Sequence, residues 1–423
     1  MSKTYTPELT PEVLRRLEGY AAGFRDAFGL DRPALWSGVY LAGLIQEGER
    51  KSIEPLSRRV ALPPELQVKD PEQALQQFVN QSPWDDQAVL KRYRAVMART
   101  FASPQGLFVI DDTSFPKQGK HSVGVRRQYC GALGKEADCQ CAVGVHYVAP
   151  KGHYPLAMRL YLPESWLDDP ARLDKAGVPA EHRRPLSKGQ IALEPLDQAR
   201  AEGLPGGLVV ADAGYGVSGP FRAGLAERGL CYIVGVTDEM LVFTEEPGGI
   251  EPTAATGGRP QKRPRLAGGS PRPVSLKESA SRTPRRKVTW REGAEGKMAG
   301  RSAWLRVWPG QGWATGQCAF VEPIWLPIEE RSDGTLKDAF SDLPANTGRI
   351  KAVRLWRSRR PVEQGYPQME EELGLDHFEG RSWRGFHHRA CPVLLAYGFP
   401  ALEQRRARRG RSRPGKKGGV APR

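Results

Sequence analysis

The chain has 423 residues, with 63 Lys and Arg against 48 Asp and Glu, a formal net charge of +15. That length gives room for roughly two to three domains, and the charge favours a polyanionic partner, DNA or RNA first, while saying nothing about fold. No segment reaches the ~18 uninterrupted apolar residues of a membrane span, and Met1-Ser2-Lys3-Thr4-Tyr5-Thr6-Pro7-Glu8 lacks the apolar stretch of a signal peptide. The six cysteines form no CxxC pair, which argues against a zinc ribbon and for reduced thiols.

Residues 1–100 predict a small helical domain. Pro11-Glu12 opens a segment with Val13, Leu14, Leu17, Tyr20 and Ala21 at helical spacing. A second helix runs from about Pro33 to Glu47, and a third from about Asp85 to Arg99 with Val89, Tyr93, Val96 and Met97 on one face. Lys51 to Val60 is short and basic. Such a unit is either a DNA-end-binding domain or a plain solvated bundle; no helix-turn-helix is evident.

From Gly106 the pattern turns to strands, and residues 105–240 predict the first part of a catalytic core. Leu107-Phe108-Val109-Ile110 is a short apolar run that leads into Asp111-Asp112-Thr113. As a buried strand it would hold a carboxylate rigidly at its end, the way an oxygen ligand is offered to a hard cation such as Mg²⁺; the ordinary alternative is a turn. Cys141 to Tyr147 and Leu156 to Leu162 alternate as two further strands, antiparallel in sequence. A helix over 187–202 is weakened by Pro195. Gly207-Leu208-Val209-Val210-Ala211-Asp212 then repeats the theme of an apolar strand ending in a carboxylate. A helix over 219–228 and a strand over 231–236 follow. Three strands, helix, strand, helix, strand is the order of an RNase H-like α/β core. In that fold strands one and four are neighbours, so Asp112 and Asp212 can share a metal.

Residues 241–345 read as an insertion. Within it 245–300 is rich in Gly, Pro, Ser, Thr and Arg and predicts a flexible basic segment, while Ala303 to Trp308 and Cys318 to Val321 predict strands. The core resumes over 346–403. Helical pattern from Arg349 to Leu373 must break near Pro361 or kink near Pro367, and 390–402 predicts a last helix. The tail over 404–423, with nine basic residues from Arg405 and no acidic one, predicts a disordered phosphate-binding segment.

Two-metal phosphoryl transfer needs carboxylates that hold two ions ~4 Å apart, and Glu363, in Arg359-Arg360-Pro361-Val362-Glu363-Gln364-Gly365-Tyr366, is the candidate third ligand. The most specific stretches are Ile110-Asp111-Asp112-Thr113-Ser114-Phe115-Pro116-Lys117-Gln118-Gly119-Lys120-His121-Ser122-Val123-Gly124-Val125, Arg127-Gln128-Tyr129-Cys130-Gly131, Ala211-Asp212-Ala213-Gly214-Tyr215-Gly216 and Gly374-Leu375-Asp376-His377-Phe378-Glu379-Gly380-Arg381-Ser382-Trp383. On these stretches the chain, over about residues 15–400, resembles the IS701-family DDE transposases of the IS4-like superfamily.

The resemblance implies an α/β, RNase H-like mixed-sheet catalytic core with an N-terminal helical domain and a β-strand insertion before the catalytic glutamate. It implies Asp112, Asp212 and Glu363 as catalytic and metal-binding residues, with Mg²⁺ as cofactor and Mn²⁺ as its substitute. The activity implied is cut-and-paste transposition: strand cleavage and strand transfer on double-stranded DNA, at terminal inverted repeats and a target. A homodimer on paired ends, in a bacterial cytoplasm at the nucleoid and with no membrane, is the implied setting. Asp111 is then a neighbour that steadies the turn.

In the superfamily's Tyr-x2-Arg-x3-Glu-x6-Lys signature, Arg359 and Glu363 fit, the tyrosine position holds Trp356, and the lysine position holds Glu370. A carboxylate where a cation should hold phosphate repels the backbone. This motivates an alternative, a catalytically decayed or repurposed transposase that binds DNA without cutting it; a stand-alone nuclease is a third reading. Candidates for DNA contact are Lys117, Lys120, His121, Arg126, Arg127, Arg359, Arg381 and Arg384. Adjacent side chains on a helix point apart, so His387-His388 reads as structural rather than as a metal pair, and Trp383 and Phe386 read as core.

Overall fold

The computed structural model describes residues 9–250, 265–293, 296–310, 322–331 and 333–411. Its contacts divide the chain into two units, one of residues 1–106, 112–206 and 361–423, the other of 107–111 and 207–360. The expected strand at Cys318–Val321, the stretch 251–264 and the tail beyond Arg411 lie outside the described residues.

The chain opens with helices α1 (Pro11–Ala22), α2 (Asp31–Ile45), α3 (Ile53–Ser57), α4 (Pro71–Asn80) and α5 (Asp86–Phe101). Side-chain oxygens start three of them: Thr10, Asp70 and Asp85 accept from the N–H groups of Val13, Gln73 and Gln87, which satisfies donors the helix itself cannot. Helix α4 was not foreseen. Asp70-Pro71 supplies its cap and first turn, and Leu75, Phe78 and Val79 are buried. Leu14, expected to face inward, is exposed.

Strands β1 (Leu107–Pro116), β2 (Arg126–Cys130), β3 (Lys135–Ala149) and β4 (Gly152–Leu160) follow, then α6 (Glu164–Leu167), α7 (Pro170–Ala176) and α8 (Lys188–Ala201). Strand β1 does not end at its aspartates as expected; it runs on to Pro116, because Thr113 and Phe115 are buried in their turn. Pro195 sits inside α8 without ending it, and a reciprocal Ser187–Gln190 capping box fixes the helix start.

Next come β5 (Leu208–Ala211), α9 (Ala213–Gly216), α10 (Gly219–Glu227), β6 (Cys231–Val236), β7 (Leu241–Phe243), β8 (Gly249–Ile250), β9 (Arg265–Leu266), β10 (Val274–Ser275) and α11 (Leu276–Arg282). Then β11 (Arg286–Gly293), β12 (Gly296–Pro309), β13 (Ile324–Glu330) and β14 (Leu336–Ser341) lead to α12 (Arg349–Trp356), α13 (Arg360–Pro367) and α14 (Trp383–Arg411). Disorder over the whole of 245–300 is therefore corrected. Ser275 caps α11 by accepting from Glu278 N–H at 3.2 Å, and Leu276 and Ala280 are fully buried. A few well-placed apolar residues offset a composition that reads as flexible.

The break expected around Pro361 and Pro367 takes two forms. A 3₁₀ turn over Arg357–Arg359 precedes Pro361, which enters the first turn of α13 where its missing N–H costs nothing. A π-type turn over Gln368–Glu372 follows Pro367. The last helix is longer than the 390–402 expected. It starts at Trp383 and takes in the basic residues up to Arg411, correcting disorder over Arg405–Arg411; these are good helix formers.

In the first unit β3 lies beside β1 and pairs antiparallel with β4 over Ala142–Ala149 and with β2 over Lys135–Cys139. Helix α14 packs on β4 and on α2, α4 and α5. With neighbours on several sides it is buried all round through Phe386, Val393, Leu394, Ala396 and Phe399. In the second unit β1, β5 and β6 run parallel, and β6, β14, β13, β12 and β11 continue antiparallel in that order. A large mixed sheet with flanking helices is the RNase H-like α/β class expected. No described helix is long and apolar enough to cross a membrane.

Arg94 on α5 is 5 % exposed and grips Glu202, just past α8, through Nε at 2.7 Å and Nη2 at 2.6 Å. Removing one partner of a buried bidentate pair strands the other charge. Arg94→Met should cost about 2–3 kcal/mol, discounted for the partial exposure of Glu202, and Arg94→Met with Glu202→Gln should recover part of it; urea unfolding of the four proteins measures both.

Candidate catalytic site

In the second unit the chemistry is set by register. Phe108, Val109 and Ile110 of β1 pair with Val209, Val210 and Ala211 of β5 in a parallel ladder. The next residue on each strand is an aspartate, Asp111 and Asp212. Each brings a carboxylate oxygen within 4.8 Å of the other. Like charges this close repel unless a cation lies between them. Both donors are oxygens, the set that suits Mg²⁺ or Mn²⁺ rather than a thiolate-bound metal.

Asp212 is held by its own turn: its Oδ1 accepts from Gly214 N–H at 3.0 Å as the cap of α9. That turn lies hard against β6. A Cβ on Gly216 would stand 1.8 Å from the Gly235 carbonyl oxygen, and one on Gly235 would stand 2.7 Å from the Ala213 nitrogen. Gly216 of Ala211-Asp212-Ala213-Gly214-Tyr215-Gly216 and Gly235 of β6 thus serve close backbone approach.

In the first unit Asp112, joined to Asp111 by a peptide bond, has its own partners. Lys188 Nζ, at the first residue of α8, donates to Asp112 Oδ2 at 2.6 Å, and the Cys141 thiol donates to the same oxygen at 3.1 Å. Burial pushes the Cys141 thiol far up from its ordinary value, and the Asp112 carboxylate adds to this, so Cys141 stays protonated. Burial works against the Lys188 ammonium, but Cys141 and Asp112 outweigh it and hold its pKa above the ordinary lysine value.

The adjacent Thr113 hydroxyl donates to the Glu370 carboxylate. Burial raises the Glu370 pKa while that hydrogen bond lowers it. Glu370, at the signature's lysine position, is half-buried and tied to β1. Glu363 is exposed on α13, and among the described residues it joins no cluster of three possible metal ligands. Helix α13 sits close to α14, since a Cβ on Gly365 would stand 2.7 Å from the Tyr397 hydroxyl.

The two longest motifs of the first unit bind each other. Lys117 donates to the Phe378 carbonyl, Val123 N–H donates to Arg381 O at 3.0 Å, and Phe115 meets Phe386 edge-on at 5.8 Å. Lys117 is therefore partly a structural tie, its pKa lowered by burial. Lys120, His121, Arg126, Arg127, Arg381 and Arg384 are exposed, with Arg384 donating to Gln81 O at 3.1 Å and Arg127 facing Glu136 at 3.9 Å.

Arg359, in the second unit, is not an open surface cation. It is 8 % exposed and stacks 4.3 Å from the Trp356 ring, so the aromatic at the tyrosine position has a partner in the arginine of the same signature. His388 stacks on Trp84 at 3.7 Å and faces the Trp84 carbonyl at 3.0 Å, and His387 faces the Trp383 carbonyl at 2.9 Å. Both are buried structural groups, as are Trp383 and Phe386. Lys188, Cys141 and Thr113 carried no site signal in the sequence. A lysine at a helix start and a cysteine in a strand gain meaning only from the side chain they reach.

The sequence model of the family described as "DDE superfamily endonuclease" matches residues 24–297, well over half of the chain. The chain belongs to the DDE superfamily of endonucleases. The chain is also 30% identical over 195 residues to the "Probable transposase for insertion sequence element IS701" of Microchaete diplosiphon. That match covers 46% of each chain, so the chain spans about half the length of this relative. The family match includes Asp112 and Asp212 and stops before Glu363.

The glycine packing around Asp212 can be checked directly. Gly235→Ala should destabilise by about 1–3 kcal/mol, the range for overpacking. Gly214→Ala, whose Cβ would meet nothing nearer than Asp212 Oδ1 at 3.3 Å, should cost less. Urea midpoints at matched m-values decide; equal losses would mean that close approach to β6 is not what those positions require.

Proposed function

We propose that this member of the DDE superfamily is a transposase that moves DNA by cut-and-paste. The observation that carries the reading is the parallel register of β1 and β5, which delivers Asp111 and Asp212 together at the end of the ladder, in a chain of this family. In this reading Asp112, one peptide from Asp111, and Asp212 are the catalytic aspartates, and Glu363 completes the set. These carboxylates would hold Mg²⁺, or Mn²⁺ in its place. Such ions activate a nucleophilic oxygen and neutralise charge on the leaving oxygen.

The chain's own residues then do two things. The aspartates are held by backbone: Asp212 by the cap of α9, and Asp112 within the continuing strand. Exposed Lys120, Arg126, Arg127, Arg381 and Arg384 contact the backbone of double-stranded DNA, at terminal inverted repeats and at the target. The first reaction cleaves a phosphodiester: a water oxygen forms a bond to phosphorus and the 3′ oxygen leaves as a hydroxyl. In the second, that 3′-hydroxyl attacks a target phosphorus and displaces a target 3′ oxygen. A homodimer would bring two ends together, in a bacterial cytoplasm where the chromosome is at hand.

Asp112→Asn or Asp212→Asn should lower cleavage of a labelled terminal-repeat duplex by about 10³-fold or more while leaving the mobility shift of the same duplex in place. Cleavage at the wild-type rate in Asp112→Asn, together with its loss in Asp111→Asn, would move the role to Asp111.

A second reading, a decayed or repurposed DNA-binding protein, is motivated by Glu370 at the signature's lysine position. The Thr113–Glu370 hydrogen bond supports the active reading, because the carboxylate has a partner on the catalytic strand. The two part on one variant. The active reading expects wild-type cleavage, with Glu370→Lys no faster; the decayed reading expects cleavage only in Glu370→Lys.

A further inference from the structure

Asp112 Oδ2 already accepts two donors: the Lys188 ammonium at 2.6 Å and the Cys141 thiol at 3.1 Å. A cation that takes this oxygen as a ligand competes with the ammonium, since the two positive charges repel each other at contact distance. The lysine is built to move. Its backbone is pinned at the start of α8 by the Ser187–Gln190 capping box, while its side chain is a flexible four-carbon stem, 37% exposed, beside an 18% exposed Asp112. The thiol is in a different position: buried on the strand interior and protonated, it stays where it is.

We propose that Lys188 couples cation loading at Asp112 to the arrival of DNA. Without DNA the ammonium holds Asp112 and opposes the metal. When a phosphodiester enters, its oxygens offer the ammonium another anion, Lys188 swings to it, and Asp112 is freed for the cation. Lys188 thus acts as a positioning residue in the free protein and as a phosphate contact in the complex. Coupling of this kind is reciprocal: DNA strengthens metal binding by the factor by which metal strengthens DNA binding. The inference rests on the reading of Asp112 as a metal ligand.

The test is Mn²⁺ binding to the full chain, followed by the loss of the free-ion EPR signal, with and without a short DNA duplex. Wild type, Lys188→Met, Lys188→Gln, Lys188→Arg and Asp112→Asn are compared. Without DNA, Lys188→Met and Lys188→Gln should bind Mn²⁺ about tenfold tighter than wild type, the scale for a half-buried charge pair. Duplex should raise wild-type and Lys188→Arg affinity by a similar factor and leave the two neutral variants unchanged. Two neutral variants of different shape separate lost charge from a folding defect.

Equal or weaker Mn²⁺ binding in both neutral variants would overturn the coupling, as would an equal DNA effect in all proteins. If Mn²⁺ binding depends on Asp112 but ignores Lys188, only the coupling fails. If Asp112→Asn leaves Mn²⁺ binding untouched, the assignment of Asp112 as a ligand fails and the coupling fails with it.

Discussion

The constraint on which the candidate chemistry depends is the parallel pairing of β1 with β5. A parallel ladder has one register that matches both apolar runs, Leu107–Ile110 and Leu208–Ala211, and a slip of one residue would turn every side chain to the other face. Because both runs stop at an aspartate, the register that buries the apolar residues also brings the acids together. The repulsion between Asp111 and Asp212 is overcome by hydrophobic pairing of the residues behind them. Burial of the strands thus creates a position that suits a cation.

Around Asp112 the same problem is solved differently. The first unit supplies a positive charge from its own chain, Lys188, and a neutral donor, Cys141. The next residue hands its hydroxyl to Glu370, so two successive residues of β1 are each tied by a side chain distant in sequence. The reversed charge at 370 is not an isolated substitution on an open face; it has a hydrogen-bond donor and a half-buried setting. The tryptophan at 356 likewise keeps an aromatic surface for Arg359. Both departures from the signature have local physical partners.

Much of this was legible in the sequence. The apolar runs at 107–110 and 208–211 and their terminal acids predicted the central strands and the pairing of strand one with strand four. Helices α1, α2, α5, α8 and α10 followed from periodicity and caps. Disorder over 265–293 failed because composition averages over the few residues, such as Leu276 and Ala280, that decide whether a segment packs. Helix α4 was missed although Asp70-Pro71 marks its start, because its apolar residues are only three. The continuation of β1 past Asp112 was hidden by two charges that look like a turn. The partners of Asp112 and Thr113 lie far away in the chain, and spacing along a sequence says nothing about such meetings.

Helix α14 has a consequence for how the protein is made. The first unit is assembled from 1–106, 112–206 and 361–423, and α2 and α5 press Tyr40 and Tyr93 against α14, where Arg389 bonds the Tyr40 hydroxyl and a Cβ on Gly398 would strike the Tyr93 ring. Synthesis delivers α14 last, after the whole stretch 207–360. The first helices pack on one another and α5 packs on β4, but until α14 leaves the ribosome the apolar surface that it covers on α2, α4 and α5 stays open to other chains. Vectorial folding therefore runs against the order of the sequence: the part made first is completed last, and a product truncated before residue 383 lacks the helix on which its opening hundred residues depend.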